Sequence, residues 1–162
     1  MFRSLLPRTL CAALMMAGAS ALGAGAARAG ACPADKVVSS GKGQAESKAA
    51  AQGVTDTVIA ATDLAKEPVG IPDRWFRLRR LVIEPGGIVP WHSHGDRPAL
   101  IYVVSGEVVE HASTCAVPIL HKAGEATAET HATAHWWKNT GRTPAILLSA
   151  DLFPVKGDPH EM

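Results

Sequence analysis

From residue 54 onward the chain is a succession of short apolar runs separated by turn residues. The segments VTDTVIAATDL, WFRLRRLVI, ALIYVVSG, EVVEHAS, VPILHKAG and TPAILLSADLF are rich in β-branched and apolar side chains. Between them stand Glu67-Pro68, Ile71-Pro72, Pro85-Gly86-Gly87, Ser105-Gly106, Ala123-Gly124 and Thr140-Gly141. Proline and glycine at such joints favour turns and interrupt regular pairing. A turn signal about every ten residues predicts an all-β sandwich or barrel. No long stretch carries a helical period, and no repeat of solenoid length is present. Residues 41–53 (GKGQAESKAAAQG) are small, polar and unpatterned, and read as a linker with at most a turn or two of helix through 45–51.

The first thirty residues follow a different rule. Arg3 and Arg8 precede an apolar run at 10–22, and small residues crowd 23–31. Ala27-Arg28-Ala29 has the small-x-small form of a signal-peptidase site, so residues 1–29 are expected to be an export signal. Cleavage before Cys32 is a second candidate. The run is short for a membrane span, so no stable membrane insertion is expected once the signal is removed. Residues 30–53 are then expected to form a flexible N-terminal segment and 54–162 the folded domain, in a protein expected to be secreted to the periplasm.

Composition narrows the function classes. The 162 residues are 47% hydrophobic, enough for one packed domain. A formal net charge of +1 provides no basic face for nucleic acid. Of the three cysteines, Cys11 leaves with the signal, and Cys32 and Cys115 remain in an oxidising compartment. An intrachain disulfide would staple the linker to the barrel; acylation of Cys32 or a bond between two chains are the alternatives.

The candidate chemistry lies in the histidines. His92 and His94 are two apart, and in a strand such residues share a face. His135 lies in a second strand-like run, HWWKNTG. Three imidazoles brought together form a ligand set for a first-row metal.

Their surroundings resemble the two sequence motifs of the cupin superfamily. Gly86, His92, His94 and Gly106 fall at the spacing of the first motif, and Gly124, His135 and Asn139 at that of the second. Thr130 and Ala132 replace the second motif's Pro and Gly. The resemblance covers roughly residues 80 to 151 and implies a cupin-type antiparallel β-barrel, the double-stranded β-helix or jelly roll. It implies a divalent transition metal (Fe, Mn, Zn, Ni or Cu) on His92, His94 and His135, with Asn139 closing a turn. It also implies a homodimer, because cupins often pair through edge strands.

One departure matters. The family's glutamate ligand would fall at Ala99, or at Pro98 with the shorter spacing, and neither side chain binds metal. A three-histidine site keeps the ion's full charge and favours anionic ligands. In ligand set it is similar to the three-histidine iron sites of thiol and β-diketone dioxygenases. If the chain is an enzyme, the resemblance points to a metal-dependent, dioxygenase-like oxidoreductase acting on a small anionic molecule. The alternatives are a non-catalytic periplasmic protein that binds a metal or small ligand, and a barrel that holds metal incidentally. No nucleophile–base pair suggests hydrolysis.

Other residues near the motifs carry two readings each. Asp96 shares parity with His92 and His94, but Gly95 and Pro98 break the strand around it; direct ligation and support of an imidazole stay open. Arg97 can clamp an anion, although a loop arginine paired with Asp96 is the more economical reading. Tyr102 could present its hydroxyl to a metal-bound ligand or pack in the core. Trp137 shares a face with His135 and Trp136 takes the other; with Trp91 their default role is packing. Glu129 and His131 lie near the second motif with no readable direction. Arg77, Arg79 and Arg80 read as a solvated strand face. His111, His121 and His160 read as ordinary histidines, and His160 with Met162 as a frayed tail.

Overall fold

The computed structural model describes residues 30–155. The expected export signal at 1–29, and the tail with His160 and Met162, lie outside the described residues. Eight strands follow one another: β1 (Gln52–Asp63), β2 (Arg74–Ser93), β3 (Ala99–Ser105), β4 (Glu107–Ala112), β5 (Ile119–Lys122), β6 (Ala126–Glu129), β7 (Ala134–Lys138) and β8 (Ala145–Pro154). Their order is β5-β4-β7-β2-β8-β3-β6, with β1 on the free side of β2 and every pairing antiparallel. The result is the expected nearly closed antiparallel jelly-roll barrel.

Strand β2 joins the two halves of that barrel. Its first part pairs with β1 and β8, from Arg74 opposite Pro154 to Ile83 opposite Ala145. Its second part pairs with β7, from Ile88 opposite Lys138 to Ser93 opposite Ala134. The change of partner occurs at Glu84-Pro85-Gly86-Gly87. Gly86 has φ +79°, and a Cβ on Gly87 would lie 2.8 Å from the Glu84 carbonyl oxygen and 2.9 Å from that of Gly53. Glycine is required there by both backbone angle and space.

The turn after β7 closes through Asn139. Its side-chain oxygen accepts from Gly141 N–H at 2.8 Å, and its amide donates to the Ile83 and Thr143 carbonyls, each at 2.8 Å. This agrees with the turn-closing role that the motif implied.

Alternation along the strands divides the interior into an apolar and a polar end. On β8, Ala145, Leu147, Ser149 and Asp151 point inward in turn; on β2, Ile83, Leu81, Arg79 and Arg77 do so. Ile83, Val103, Val108, Ala145 and Leu147 form the apolar end. The reading of Arg77 and Arg79 as a solvated face is overturned: both are buried, and Arg80 alone faces outward. Arg77 holds Asp151 bidentately, at 2.9 Å and 2.7 Å, and stacks over Phe153 at 3.7 Å. A buried guanidinium is tolerated because this paired carboxylate satisfies it.

The segment expected to be a flexible linker lies against the barrel over much of its length. Cys32 and Cys115 are bonded, with Cα atoms 5.8 Å apart. Val38 N–H donates to Thr114 O at 2.9 Å, Ala116 N–H to Lys36 O at 2.9 Å, and Gln44 N–H to Ala112 O at 2.9 Å. Residues 45–51 form no helix. The bond spans 83 residues, for which chain-entropy estimates give about 4–5 kcal/mol as an upper figure. Replacing Cys32 and Cys115 together by Ser should cost about 2–4 kcal/mol in denaturant unfolding. The β-sheet circular dichroism should persist, and amide exchange should speed up in residues 32–44. Free alkylation of both thiols in unreduced wild-type protein would contradict the bond.

Candidate metal centre

A one-residue irregularity in β2 builds the site. Val89 faces Trp137 across the β2–β7 ladder, and His92 faces His135. Three steps on β2 therefore match two on β7, a bulge at Pro90-Trp91. Pro90 has no N–H to lose from the ladder, which suits a bulge. The extra residue switches face parity: Gly87 and Val89 point inward before it, His92 and His94 after it. Without the bulge both histidines would face outward.

The three histidines meet at one point. The Nε2 of His94 lies 3.2 Å from that of His92 and 3.0 Å from that of His135, and the third distance is 3.1 Å. Each Nδ1 is engaged elsewhere. His92 Nδ1 donates to Pro90 O at 2.9 Å, His94 Nδ1 to Arg97 O at 2.8 Å, and His135 Nδ1 to the Glu110 carboxylate at 2.7 Å. Carbonyl and carboxylate oxygens can only accept, so the protons sit on Nδ1 and three Nε2 lone pairs face one another. That arrangement is repulsive unless a cation stands between them. Nitrogen ligands about 2.0–2.1 Å from one ion lie roughly 3–3.5 Å apart, so the donor set fits a first-row metal. Burial, then the nearness of His135, pulls His92 down to about 3 and His94 down to about 4. Both imidazoles are therefore neutral at neutral pH, the form able to bind a metal.

A network that sequence reading missed supports His135. Glu110 accepts from His135 and, through its other oxygen, from His121 Nε2 at 2.8 Å. Burial alone would raise the Glu110 carboxyl, but hydrogen bonds from His121 and His135 outweigh it and hold it at about 2. Glu129 stands 3.5 Å from His135 Nδ1, where burial and the charge of Glu110 push it up to about 8. One of the two carboxyls thus carries the charge and the other keeps its proton. Trp137 sits 3.2 Å by Nε1 from both ring nitrogens of His135, with the planes at 81°, so its N–H meets the ring rather than one lone pair. His121 stacks on Trp137 at 4.7 Å. A signal existed: in EVVEHA, Glu110 has the inward parity of Val108 and Ala112.

The other candidates separate clearly. Ala99 points inward between Glu129 and Asp151, so a methyl occupies the position of the family's glutamate. Asp96 is exposed in the bend after β2, away from the histidines' meeting point. Tyr102 faces outward at 45% exposure and cannot reach a ligand inside. His131 is exposed, and Trp136 faces away, stacked on His111 at 3.9 Å. Arg97 is buried, not a loop arginine paired with Asp96, and its guanidinium lies 3.7 Å from Asp151. A cavity of about 180 Å³ opens at the histidines, walled also by Arg79, Arg97, Asp56 and Ser149 over an apolar floor that includes Leu81 and Leu147.

Comparison with known proteins agrees with this architecture. A cupin-domain family model matches residues 79–151. A germin-like protein of subfamily 2 from Arabidopsis thaliana is 30% identical over 97 residues, 58% of this chain and 44% of its own length. Nectarin-1 from a Nicotiana langsdorffii and Nicotiana sanderae hybrid is 30% identical over 97 residues, 58% of this chain and 42% of its own length. The chain thus spans less than half the length of these curated relatives. The cupin domain of Schizosaccharomyces pombe Cnp3 superposes with a TM-score of 0.50 at 14% identity, covering 68% of this chain and 77% of that one. With the matched family model, the paired motifs and the jelly-roll barrel in agreement, the chain belongs to the cupin superfamily.

Proposed function

We propose that this cupin holds one divalent transition-metal ion on the Nε2 atoms of His92, His94 and His135 and binds a small anionic molecule beside it. The carrying observation is the triangle of Nε2 atoms, 3.0–3.2 Å on each side, with every Nδ1 proton already committed. The ion would supply Lewis acidity and a template with open positions, the requirements of dioxygenase-type chemistry. The chain's own residues do the rest. Glu110, Pro90 O and Arg97 O fix the imidazole tautomers, and Trp137 restrains the His135 ring. The apolar floor at Leu81 and Leu147 offers water no hydrogen-bond partner. The second reading, a metal- or ligand-binding protein without turnover, is favoured by the absence of a side-chain carboxylate at Ala99. Oxygen uptake with small carboxylates, thiols and diketones separates the two: turnover with one iron per chain supports the enzyme, and tight metal without turnover the binding protein. Export to an oxidising compartment such as the periplasm fits the Cys32–Cys115 bond.

The His92→Ala, His94→Ala double variant should lose stoichiometric metal by elemental analysis. Wild-type protein should gain about 2.7 kcal/mol of stability when free metal is a hundredfold above Kd, and the double variant none. Unchanged metal content in the variant would end the proposal.

The metal-free protein should show a defined pH dependence. His92 and His94 have folded values of about 3 and about 4 against an ordinary 6.5. Between those limits the unfolded chain binds more protons, so stability rises with pH up to about 6.5 and falls as acid is added. Each histidine contributes a slope approaching about 1.4 kcal/mol per pH unit in that window. Urea titrations at pH 5 and 7 should show a smaller difference in the double variant; an equal one would contradict the assignment.

A homodimer is part of this proposal. The outer face of β2-β8-β3-β6 carries Phe76 beside Leu152, Leu100 between Ala150 and Ala128, and Tyr102 between Leu148 and Ala126. Phe76 is 51% exposed and Leu100 63%. An exposed apolar face of this kind suits a second copy related by a two-fold axis. Light scattering should return twice the chain mass, and Leu100→Glu should shift it to the monomer. A monomeric wild type at high concentration would refute the pairing.

A further inference from the structure

Gly30 is buried against the network that backs His135. Its φ is +83°, and a Cβ there would lie 3.0 Å from Glu125 Oε2 and 3.2 Å from His121 Nδ1. Glycine suits the position in both backbone angle and space. A backbone nitrogen lies about 2.5 Å from its own Cβ position, so the Gly30 nitrogen is within about 6 Å of both groups. Both can face it as acceptors. His121 donates from Nε2 to Glu110 at 2.8 Å, so its neutral ring presents a lone pair at Nδ1. Glu125 Oε2 accepts from Lys122 N–H at 2.8 Å, and a carboxylate has capacity for more than one such bond. Two residues further on, the Cys32–Cys115 bond ties this point of the chain to the barrel.

We propose that Gly30 is the first residue of the processed protein and that its α-ammonium docks between Glu125 and His121. Hydrolysis of the Ala29–Gly30 bond by a signal peptidase consumes one water. The new carboxylate leaves with Ala29, and the amine stays on Gly30 and is largely protonated at neutral pH. The cut rests on the export reading above; the docking site does not. An internal Gly30 has one N–H to offer, whereas a freed terminus has an ammonium's three donors and a full charge. A buried ammonium without a partner is strongly unfavourable, and here a carboxylate and an imidazole lone pair stand beside it. The bond to Glu125 is charge-assisted, the stronger kind. Donation to Nδ1 holds His121 in the tautomer that donates to Glu110, which in turn accepts from His135. His121 is then a positioning residue that joins the processed terminus to the three-histidine centre.

Protein exported from the full chain should have an intact mass that begins at Gly30. Chains made directly, with Gly30 either free or behind a Gly-Ser extension, are then unfolded in urea with the disulfide intact. Each is compared with its Glu125→Gln variant. Glutamine keeps an oxygen for Lys122 N–H and removes the charge. With Gly30 free, Glu125→Gln should lower the folding equilibrium constant about tenfold or more; behind the extension it should change it little. Glu125→Asp keeps the charge and should recover part of the loss in the free chain. Glu125→Met replaces Glu125→Gln if the latter fails to fold by circular dichroism. Its lost bond to Lys122 costs both chains alike, so the difference between them still reads the coupling. Equal effects in the free and extended chains, or exported protein cut at another bond, overturn the proposal. If the full chain is not exported, the export reading fails by itself. The site is then read from the directly made chains: coupling to Glu125 sustains it, and its absence overturns it.

Discussion

The single extra residue at Pro90-Trp91 governs the rest of the site. In a β-strand the side-chain period is two, so one inserted residue exchanges the faces of everything beyond it. Before the bulge β2 contributes Gly87 and Val89 to the apolar interior; after it the strand turns His92 and His94 inward, with His92 opposite His135. The Pro90 carbonyl at the bulge then accepts from His92 Nδ1. The irregularity that directs the ring inward thus also sets its tautomer. Strand β7 needs no bulge, because His135, Trp137 and Asn139 already alternate inward.

The three imidazoles are not equivalent. His92 and His94 are backed by neutral carbonyls, and His135 by an ionised carboxylate. A carboxylate partner makes an imidazole a stronger donor. With a metal on the three histidines, Glu110 would supply from behind His135 part of the negative charge that a directly bound glutamate supplies in the family. Its own charge is sustained by two hydrogen bonds, and Glu129 beside it gives up ionisation in consequence.

The barrel's polar end shows a different balance. Arg77 and Asp151 neutralise each other inside the fold, and removing either alone would strand a buried charge, typically a loss of about 3–5 kcal/mol. Arg79 and Arg97 crowd the same carboxylate without full hydrogen bonding. Hydrogen bonding holds Arg77 to Asp151, whereas Arg79 Nε and Arg97 Nη1 reach the same carboxylate only through longer ionic contacts of 3.4 Å and 3.7 Å.

The amino-acid sequence by itself determined the fold class and the histidines. Short apolar runs bounded by proline and glycine are local signals, and the spacing from Gly86 to Gly106 and from Gly124 to Asn139 lies within single hairpin-sized segments. The absence of a carboxylate at Ala99 was equally legible, as was the even pair Cys32 and Cys115. Tertiary structure alone decided which faces these residues took. Strand alternation across Arg77, Arg79 and Arg80 was visible, but burial of two of them depends on Asp151, more than seventy positions away. Asp96 shared parity with the histidines and Tyr102 could have faced either way, yet the bend after β2 leaves Asp96 exposed and β3 turns Tyr102 outward. Glu110, His121 and Glu129 come together only because β4 lies between β5 and β7 and β6 closes on β3. Local pattern reports what a residue can do; long-range pairing assigns its neighbours, and in a buried electrostatic site the neighbours decide the charge.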